Sequence, residues 1–256
     1  MKKFKLIAGP CVVENWMMLS EVRSELKRIS KDLDIDFIFK ASYKKANRTS
    51  DKSFVGLDQD QALTLMSRER PIITDVHECK DIAEVVNFVD ALQIPAFLCR
   101  QTDLIKAAAA THKDINIKKG QFASAESMRF AVEKARSVGT GAEIWVTERG
   151  TSVGPYQLIV DMTGIPIMKE FADRVIIDAT HSVQQPNRGE ETGGRQEMIE
   201  TLALSAVAAG ADGLFIETHP NPEKALSDRG SQLHLKNARE VITNVVNLYR
   251  SLHKTK

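Results

Sequence analysis

The residues of this chain that could do acid–base or ligand chemistry gather just after short apolar runs. Cys11 follows the first run, and Lys40, Ser42, Lys45, Asn47 and Arg48 follow the second. Asp75 and His77 close the third, and Gln93 lies in the fourth. Lys119 and Gln121 follow the fifth and Arg149 the sixth; Asp178 and His181 end the seventh, Glu217 and His219 the eighth. Two kinds of chemistry are on offer. Lys40, Lys45, Lys119 and Arg149, if brought together, make a positive basin for phosphate and carboxylate groups, with Arg149 suited to bidentate contact. A thiol, an imidazole and two carboxylates at Cys11, His181, Glu217 and Asp228 would suit Zn2+, Fe2+ or Mn2+ better than Mg2+.

Taken singly, each residue has a plainer reading. A Lys or Arg after a strand is usually solvated, and Asp75 or Asp178 could cap the next helix. Cys11 could be a small buried thiol, and no CxxC or HExxH spacing marks a metal site. Cys99 reads as packing, Cys79 has no obvious partner, and His77 and His219 read as catalytic groups or hydrogen-bonded supports. The decision rests on which elements carry these residues.

Eight β-branched or apolar runs recur, at residues 5–8, 36–40, 71–76, 91–96, 114–118, 143–147, 174–178 and 213–217. Several stay apolar up to their last residue, as parallel strands covered on both faces do. Helical patterns lie between them, at 16–33, 58–67, 81–88, 102–111, 125–138, 156–172, 195–209 and 232–252; the last is the clearest amphipathic stripe. Eight alternating units select an α/β TIM (β/α)8 barrel forming a single catalytic domain over residues 1–256, with an open doubly wound sheet as the alternative. In a barrel all eight strand ends meet at one mouth. Strand eight then neighbours strand one, so Glu217 and Cys11 meet only if the sheet closes. The polar stretch 184–194 reads as a lid or a surface loop.

Bulk properties narrow the classes. The 256 residues carry 35 Lys+Arg against 34 Asp+Glu, a net charge of +1, so nucleic acid is not an expected partner. No apolar run is long enough to span a membrane, and the apolar core near the start is too short for a signal peptide. Three cysteines fit a reducing compartment, and the expected location is cytoplasmic.

The strand-end motifs together resemble the 3-deoxy-D-manno-octulosonate 8-phosphate synthases. They include Ile7-Ala-Gly-Pro-Cys11, Phe39-Lys-Ala-Ser42, Lys45-Ala-Asn-Arg48, Ile73-Thr-Asp-Val-His-Glu78 and Gln93-Ile-Pro-Ala-Phe97. Asn116-Ile-Lys-Lys-Gly-Gln-Phe122, Thr147-Glu-Arg-Gly150, Asp178-Ala-Thr-His-Ser-Val-Gln184 and Glu217-Thr-His-Pro-Asn-Pro-Glu-Lys-Ala-Leu-Ser-Asp228 extend the match over nearly the whole chain. The resemblance implies condensation of phosphoenolpyruvate with D-arabinose 5-phosphate and water, for lipopolysaccharide core sugar synthesis.

By the same resemblance Lys40, Lys45, Lys119 and Arg149 would grip phosphoenolpyruvate with Gln93 and Gln121 nearby, Asn47 and Arg48 would hold the pentose phosphate, and Ser42 and Ser50 would also bind substrate. Lys45, Asn47, Asp75 and His181 would be the catalytic group. The Arg48–Ser50 contact crosses a subunit interface in that family, which implies a homotetramer. Some members have Asn in place of Cys11 and need no metal, so Cys11 with Glu217 and Asp228 implies the metal-dependent class, with a divalent ion held by Cys11, His181, Glu217 and Asp228. The chain departs from the family at Lys44, usually Asp; at Thr49, commonly Ser; and at Val153-Gly-Pro-Tyr-Gln157. The related seven-carbon synthases typically carry Pro where this chain has the Ala-Asn pair. Asn47 can hydrogen-bond a sugar hydroxyl that a Pro ring cannot, which favours the pentose. A non-catalytic sugar-phosphate sensor is the rival from another class.

Overall fold

The computed structural model describes residues 2–46, 54–186 and 193–253. Its strands are β1 (Lys5–Gly9), β2 (Asp36–Lys40), β3 (Ile72–Asp75), β4 (Ala91–Ile94), β5 (Asp114–Lys118), β6 (Ile144–Glu148), β7 (Arg174–Asp178) and β8 (Gly213–His219). Each pairs in parallel with the next, and β8 returns to β1, with Lys5 opposite Gly213 and Gly9 opposite Glu217. The sheet is a closed (β/α)8 barrel. The helices between strands are α1 (Trp16–Asp32), α2 (Gln59–Ser67), α3 (Cys79–Val85), α4 (Thr102–Ala109), α5 (Met128–Arg136), α6 (Gly164–Lys169) and α7 (Ile199–Ala208), with α8 (Leu235–Leu252) after β8.

Strand side chains alternate between the lumen and the helix layer, and this period sorts the polar from the apolar residues. Ile7, Ile38, Ile73, Ala91, Trp145, Ile176 and Phe215 form one buried cluster at mid-height of the lumen. Below it Lys5 pairs with Asp36 at 2.6 Å and Arg174 with Glu143 at 3.3 Å, and Lys5 Nζ stands 4.3 Å from the Trp145 ring centre. The floor is therefore ionic, paired and filled. Two residues further along, the lumen side chains are polar and form the mouth, except on β1, where Gly9 takes that place. The intervening residues, such as Leu6, Ala8 and Phe39, pack outwards with Leu19, Val22, Leu26 and Ile29 of α1, whose spacing is helical. Asn15 caps α1 by accepting from Met18 N at 2.9 Å.

Gly9 has a steric reason to be glycine. A Cβ there would lie 2.0 Å from the Lys40 carbonyl oxygen, so any side chain would push β1 from β2 at the level of the site. The helical pattern at 156–172 is only partly realised. Residues Thr151–Val153 and Gln157–Ile159 pair as an antiparallel hairpin, and α6 begins at Gly164. Gly154, in the left-handed region at φ 65, lies in its turn, where the Gly-Pro pair outweighs helical periodicity. Within the stretch 184–194, Gln184–Gln185 pairs with Gly193–Gly194, and residues 187–192 lie outside the described part.

Candidate active site

The lumen residues at the strand ends are joined by a run of hydrogen bonds from β6 to β2. Thr147 Oγ1 donates to Asn116 Oδ1 (2.6 Å), Asn116 Nδ2 to Gln93 Oε1 (3.0 Å), and Gln93 Nε2 to Asp75 Oδ1 (2.5 Å). The other oxygen of Asp75 accepts from Ser42 Oγ at 2.6 Å, and Ser42 Oγ accepts from Lys40 Nζ (2.9 Å) and Lys45 Nζ (3.0 Å). Burial works against the charge of Asp75, but Lys40 and Lys45 outweigh it and hold the carboxyl well below its ordinary range. Burial also opposes the charge of Lys45, and Cys11, Glu217, Asp75 and Asp228 more than restore it. Both groups are charged at neutral pH.

Across the mouth the ends of β5, β7 and β8 carry a second network. Asp178 Oδ2 is 2.5 Å from Lys118 Nζ and 2.8 Å from His181 Nδ1, while Oδ1 accepts from the backbone N–H of Thr180 and His181. An ionised carboxylate can only accept, so His181 Nδ1 is assigned as the donor to Asp178, which leaves Nε2 with its lone pair. Nε2 lies 3.8 Å from Glu217 Oε2 and 4.0 Å from Asp228 Oδ2. Cys11 Sγ is 3.0 Å from Asp228 Oδ2, and one donor atom each from Cys11, Glu217 and Asp228 fall within 4.8 Å of one another. Burial, then the charges of Asp228 and Glu217, push the Cys11 thiol well up. Asp228 reaches this position with a left-handed backbone (φ 48), a conformation that costs a non-glycine residue roughly 1–2 kcal/mol.

The third group is basic. Lys119 Nζ, on a 2% exposed residue, lies 3.4 Å from Glu148 Oε1 and 3.0 Å from Thr151 Oγ1. Arg149 is 6% exposed, donates from Nη2 to Gln184 at 3.1 Å, and leaves Nη1 without a hydrogen-bond partner. Burial lowers the pKa of its guanidinium, partly offset by the surrounding carboxylates led by Asp178. Glu217 presents the opposite case: Oε1 takes Lys40 Nζ at 2.8 Å, while the buried Oε2 accepts no hydrogen bond.

The fold thus brings Cys11, Glu217 and Asp228 together, with His181 Nε2 outside that cluster but within 4.0 Å of both carboxylates. It joins Lys40, Ser42, Lys45, Asp75 and Gln93 in a network that meets the first through the Lys40–Glu217 pair. Gln121 lies half-buried on the loop after β5, its carbonyl accepting from Ser152 N at 3.0 Å. Asn47, Arg48 and Ser50 lie outside the described residues. His219 Nδ1 accepts from Asn221 N at 3.0 Å, and Nε2 faces Glu14 at 3.6 Å, so it supports the loop after β8. His77 Nδ1 is buried without a hydrogen-bond partner.

Sequence reasoning assigned no role to Lys118, Asn116 or Thr147. The period-two pattern carried the signal. In Asn116-Ile-Lys118 the polar residues alternate around an outward apolar one, which points both into the lumen. Ser227 and Gln232, which contact Cys11 Sγ and N at 3.0 and 3.4 Å, came from a long loop and had no such pattern.

Comparison with known proteins agrees with this geometry. The model of the DAHP synthetase I family matches residues 2–253. The 2-dehydro-3-deoxyphosphooctonate aldolase of Methylobacillus flagellatus is 46% identical, covering 97% of this chain and 92% of that protein. Proteins of the same name from Cupriavidus taiwanensis (44%, covering 94% and 88%) and Bordetella petrii (46%, covering 96% and 91%) are similar over nearly their whole length. A closed barrel with this mouth and matches of this extent have one reading: the chain belongs to the DAHP synthetase I family.

Proposed function

We propose that this chain joins phosphoenolpyruvate to D-arabinose 5-phosphate and water, giving 3-deoxy-D-manno-octulosonate 8-phosphate and inorganic phosphate for lipopolysaccharide core sugar synthesis. The observation that carries the proposal is Arg149, whose guanidinium is buried and whose Nη1 has no hydrogen-bond partner among the described residues. The carboxylates around it offset the burial of its charge only in part, and an unpaired buried donor is costly, so this corner is suited to receive an anion. The names of the similar proteins supply the eight-carbon product.

In this reading Lys119 and Arg149 hold the phosphate of phosphoenolpyruvate, with Gln121 at the rim. Lys40, Ser42 and Lys45 face its carboxylate end, and Gln93 holds Asp75 in place. Asn47, Arg48 and Ser50 serve the pentose phosphate. The new C–C bond joins the enol carbon to the aldehyde carbon, water adds at C2, phosphate departs, and the aldehyde oxygen takes up a proton. The cage keeps the two reacting carbons in contact, and the fixed charge of Lys45 faces the developing alkoxide.

The donor set also fits a divalent metal ion, Zn2+, Fe2+ or Mn2+. Glu217 Oε2 is a buried acceptor with no hydrogen bond, His181 Nε2 is left open by the Asp178 contact, and Cys11 is pressed against a carboxylate. Cys11, His181, Glu217 and Asp228 would hold the ion, and its chemistry there would be to polarise an oxygen or orient the water. His181 is kept aligned by Asp178 and Lys118 whatever the ion.

The family description favours a second reading, the seven-carbon reaction with erythrose 4-phosphate, and Thr49-Ser50 after Arg48 echoes it. Phosphate release from phosphoenolpyruvate, measured with each aldose in turn, separates the two. A higher kcat/KM with arabinose 5-phosphate is expected; the reverse order overturns the assignment. We further place the protein in the cytoplasm as a homotetramer, which sedimentation analysis of the full chain checks. Among the described residues no helix is long and apolar enough to cross a membrane.

A further inference from the structure

Position 44 carries a lysine whose partner is deeply buried. Lys44 Nζ lies 2.7 Å from Asp81 Oδ1; the Asp81 side chain is 0% exposed and that of Lys44 29%. The other oxygen of Asp81 accepts the backbone N–H groups of His77 and Glu78, each at 3.0 Å, and so closes the first turn of α3. Burial works against the Asp81 charge, and the Lys44 bond and the two backbone bonds overcome it. Asp81 thus belongs rigidly to the β3–α3 corner, directly after Asp75. Lys44 belongs to the loop after β2 and is the neighbour of Lys45, whose N–H donates to Val55 O at 2.7 Å and whose Nζ reaches Ser42.

The two corners flank the basin where β2 and β3 end. On the β2 side the described part of the loop is held by Val13 N to Ser42 O at 3.0 Å, Ser42 N to Cys11 O at 3.3 Å, and Lys45 N to Val55 O at 2.7 Å. Those bonds fix the backbone up to Ser42 and at Lys45; Ser42 Oγ ties the end of β2 to Asp75, and beyond it Lys44–Asp81 ties the following segment to the start of α3. We propose that Lys44 is a positioning residue: its ion pair with buried Asp81 anchors the segment that presents Lys45 to the start of α3. The inference rests on the reading above only in that Lys45 contacts phosphoenolpyruvate. It gives the departure at position 44 a physical content, since an aspartate there would set a second carboxylate against Asp81, and like charges at this distance repel.

The test uses the full-length protein and the variants Lys44→Met, Lys44→Arg, Lys44→Asp and Asp81→Asn, with the double variant Lys44→Met/Asp81→Asn. Hydrogen exchange of the segment 41–46 reads the anchoring without any substrate, because the Lys45 amide is protected only while its bond to Val55 holds. Exchange there should rise about tenfold in Lys44→Met, rise further in Lys44→Asp, and return to within about twofold of wild type in Lys44→Arg. Asp81→Asn should resemble Lys44→Met, and the double variant should be no worse than either single one, the mark of a shared interaction. In kinetics, KM for phosphoenolpyruvate should rise several-fold in Lys44→Met with kcat changed less. Exchange within twofold of wild type in Lys44→Met, a neutral Lys44→Asp, or multiplying effects in the double variant would each overturn the proposal. A wild type without phosphoenolpyruvate activity would instead sink the functional reading and leave the exchange result to decide this one.

Discussion

Arg149→Met should leave the ligand-free protein nearly as stable as before while removing most of its activity. Among the described residues the guanidinium makes one side-chain hydrogen bond, to Gln184, and Nη1 has no partner. Losing a bond of that kind costs about 1 kcal/mol, and removing an unsatisfied buried donor returns about 1–3 kcal/mol. Asp178, Asp228, Glu148 and Glu217 lose a nearby positive charge, which offsets part of that gain. Methionine occupies much of the volume of the stem, so no large cavity opens. The net lies within about 1 kcal/mol of zero, or a Tm shift of roughly 2–4 °C for a chain of this length.

With substrate present the sign changes. Truncating one side of a buried, hydrogen-bonded charge pair costs about 2–5 kcal/mol, which is a fall in kcat/KM of roughly 30-fold to several thousand-fold. Thermal melts of both proteins, with and without phosphoenolpyruvate, followed by phosphate-release kinetics, read both halves. At about 100 times Kd the wild type should gain about 2.7 kcal/mol from the ligand, and the variant little at the same concentration. The reasoning is refuted if the variant loses the roughly 3–5 kcal/mol expected for breaking a paired buried ion while phosphoenolpyruvate shifts both melts equally. Arg149 would then be a structural strut.

Two further outcomes are expected. Cys11→Asn should weaken binding of Zn2+ or Mn2+ by at least the roughly 10–100-fold that loss of a mere supporting residue causes; metal analysis after dialysis against dipicolinate measures it, and unchanged affinity would make Cys11 a packing thiol. At the barrel floor, burial would raise the Glu143 carboxyl, but Lys2, Trp145 and Arg174 bring it down from its ordinary 4.5 to about 2. Because the folded value is the lower one, Glu143 adds stability that is complete above about 4.5 and lost as pH falls towards about 2. The Tm gap between wild type and Glu143→Gln should therefore shrink across that window, and a gap independent of pH would show that Glu143 titrates normally.

The strands were legible because their helix-facing residues and the middle layer of the lumen are apolar, so most read as short apolar runs with a polar residue at or near the mouth end. That ending also marked the mouth: Lys40, Asp75, Asp178 and Glu217 are all last or near-last in their strands. The false helical start at 156 has a local cause, since the pattern of Leu158, Ile159 and Met162 fits two periods and only the Gly154-Pro155 turn decides between them. Lys118 was passed over for a similar reason. Two adjacent lysines look alike in sequence, yet the pleat sends Lys118 to Asp178 and Lys119 to Glu148 and Thr151. Ser227 and Gln232 depend on how a long loop folds over Cys11, which no periodic pattern encodes.

Charge pairing at the mouth explains why it reads as a site and the equally ionic floor does not. At the floor Lys5, Asp36, Glu143 and Arg174 contact one another in pairs within 3.7 Å. At the mouth Lys40 meets Glu217, Lys118 meets Asp178, and Lys119 approaches Glu148. Two buried atoms of opposite sign remain without a hydrogen bond, Arg149 Nη1 and Glu217 Oε2. Leaving a buried donor and a buried acceptor unpaired is expensive, and one bond between them would relieve each. They stand instead on β8 and the end of β6, with β7 and His181 between, so the barrel register keeps them apart. A mouth selected for stability alone would have joined or removed them. One that holds an anion at Arg149 and a cation at Glu217, as proposed, would satisfy both, with the Asp178–His181 pair of the intervening strand end between them.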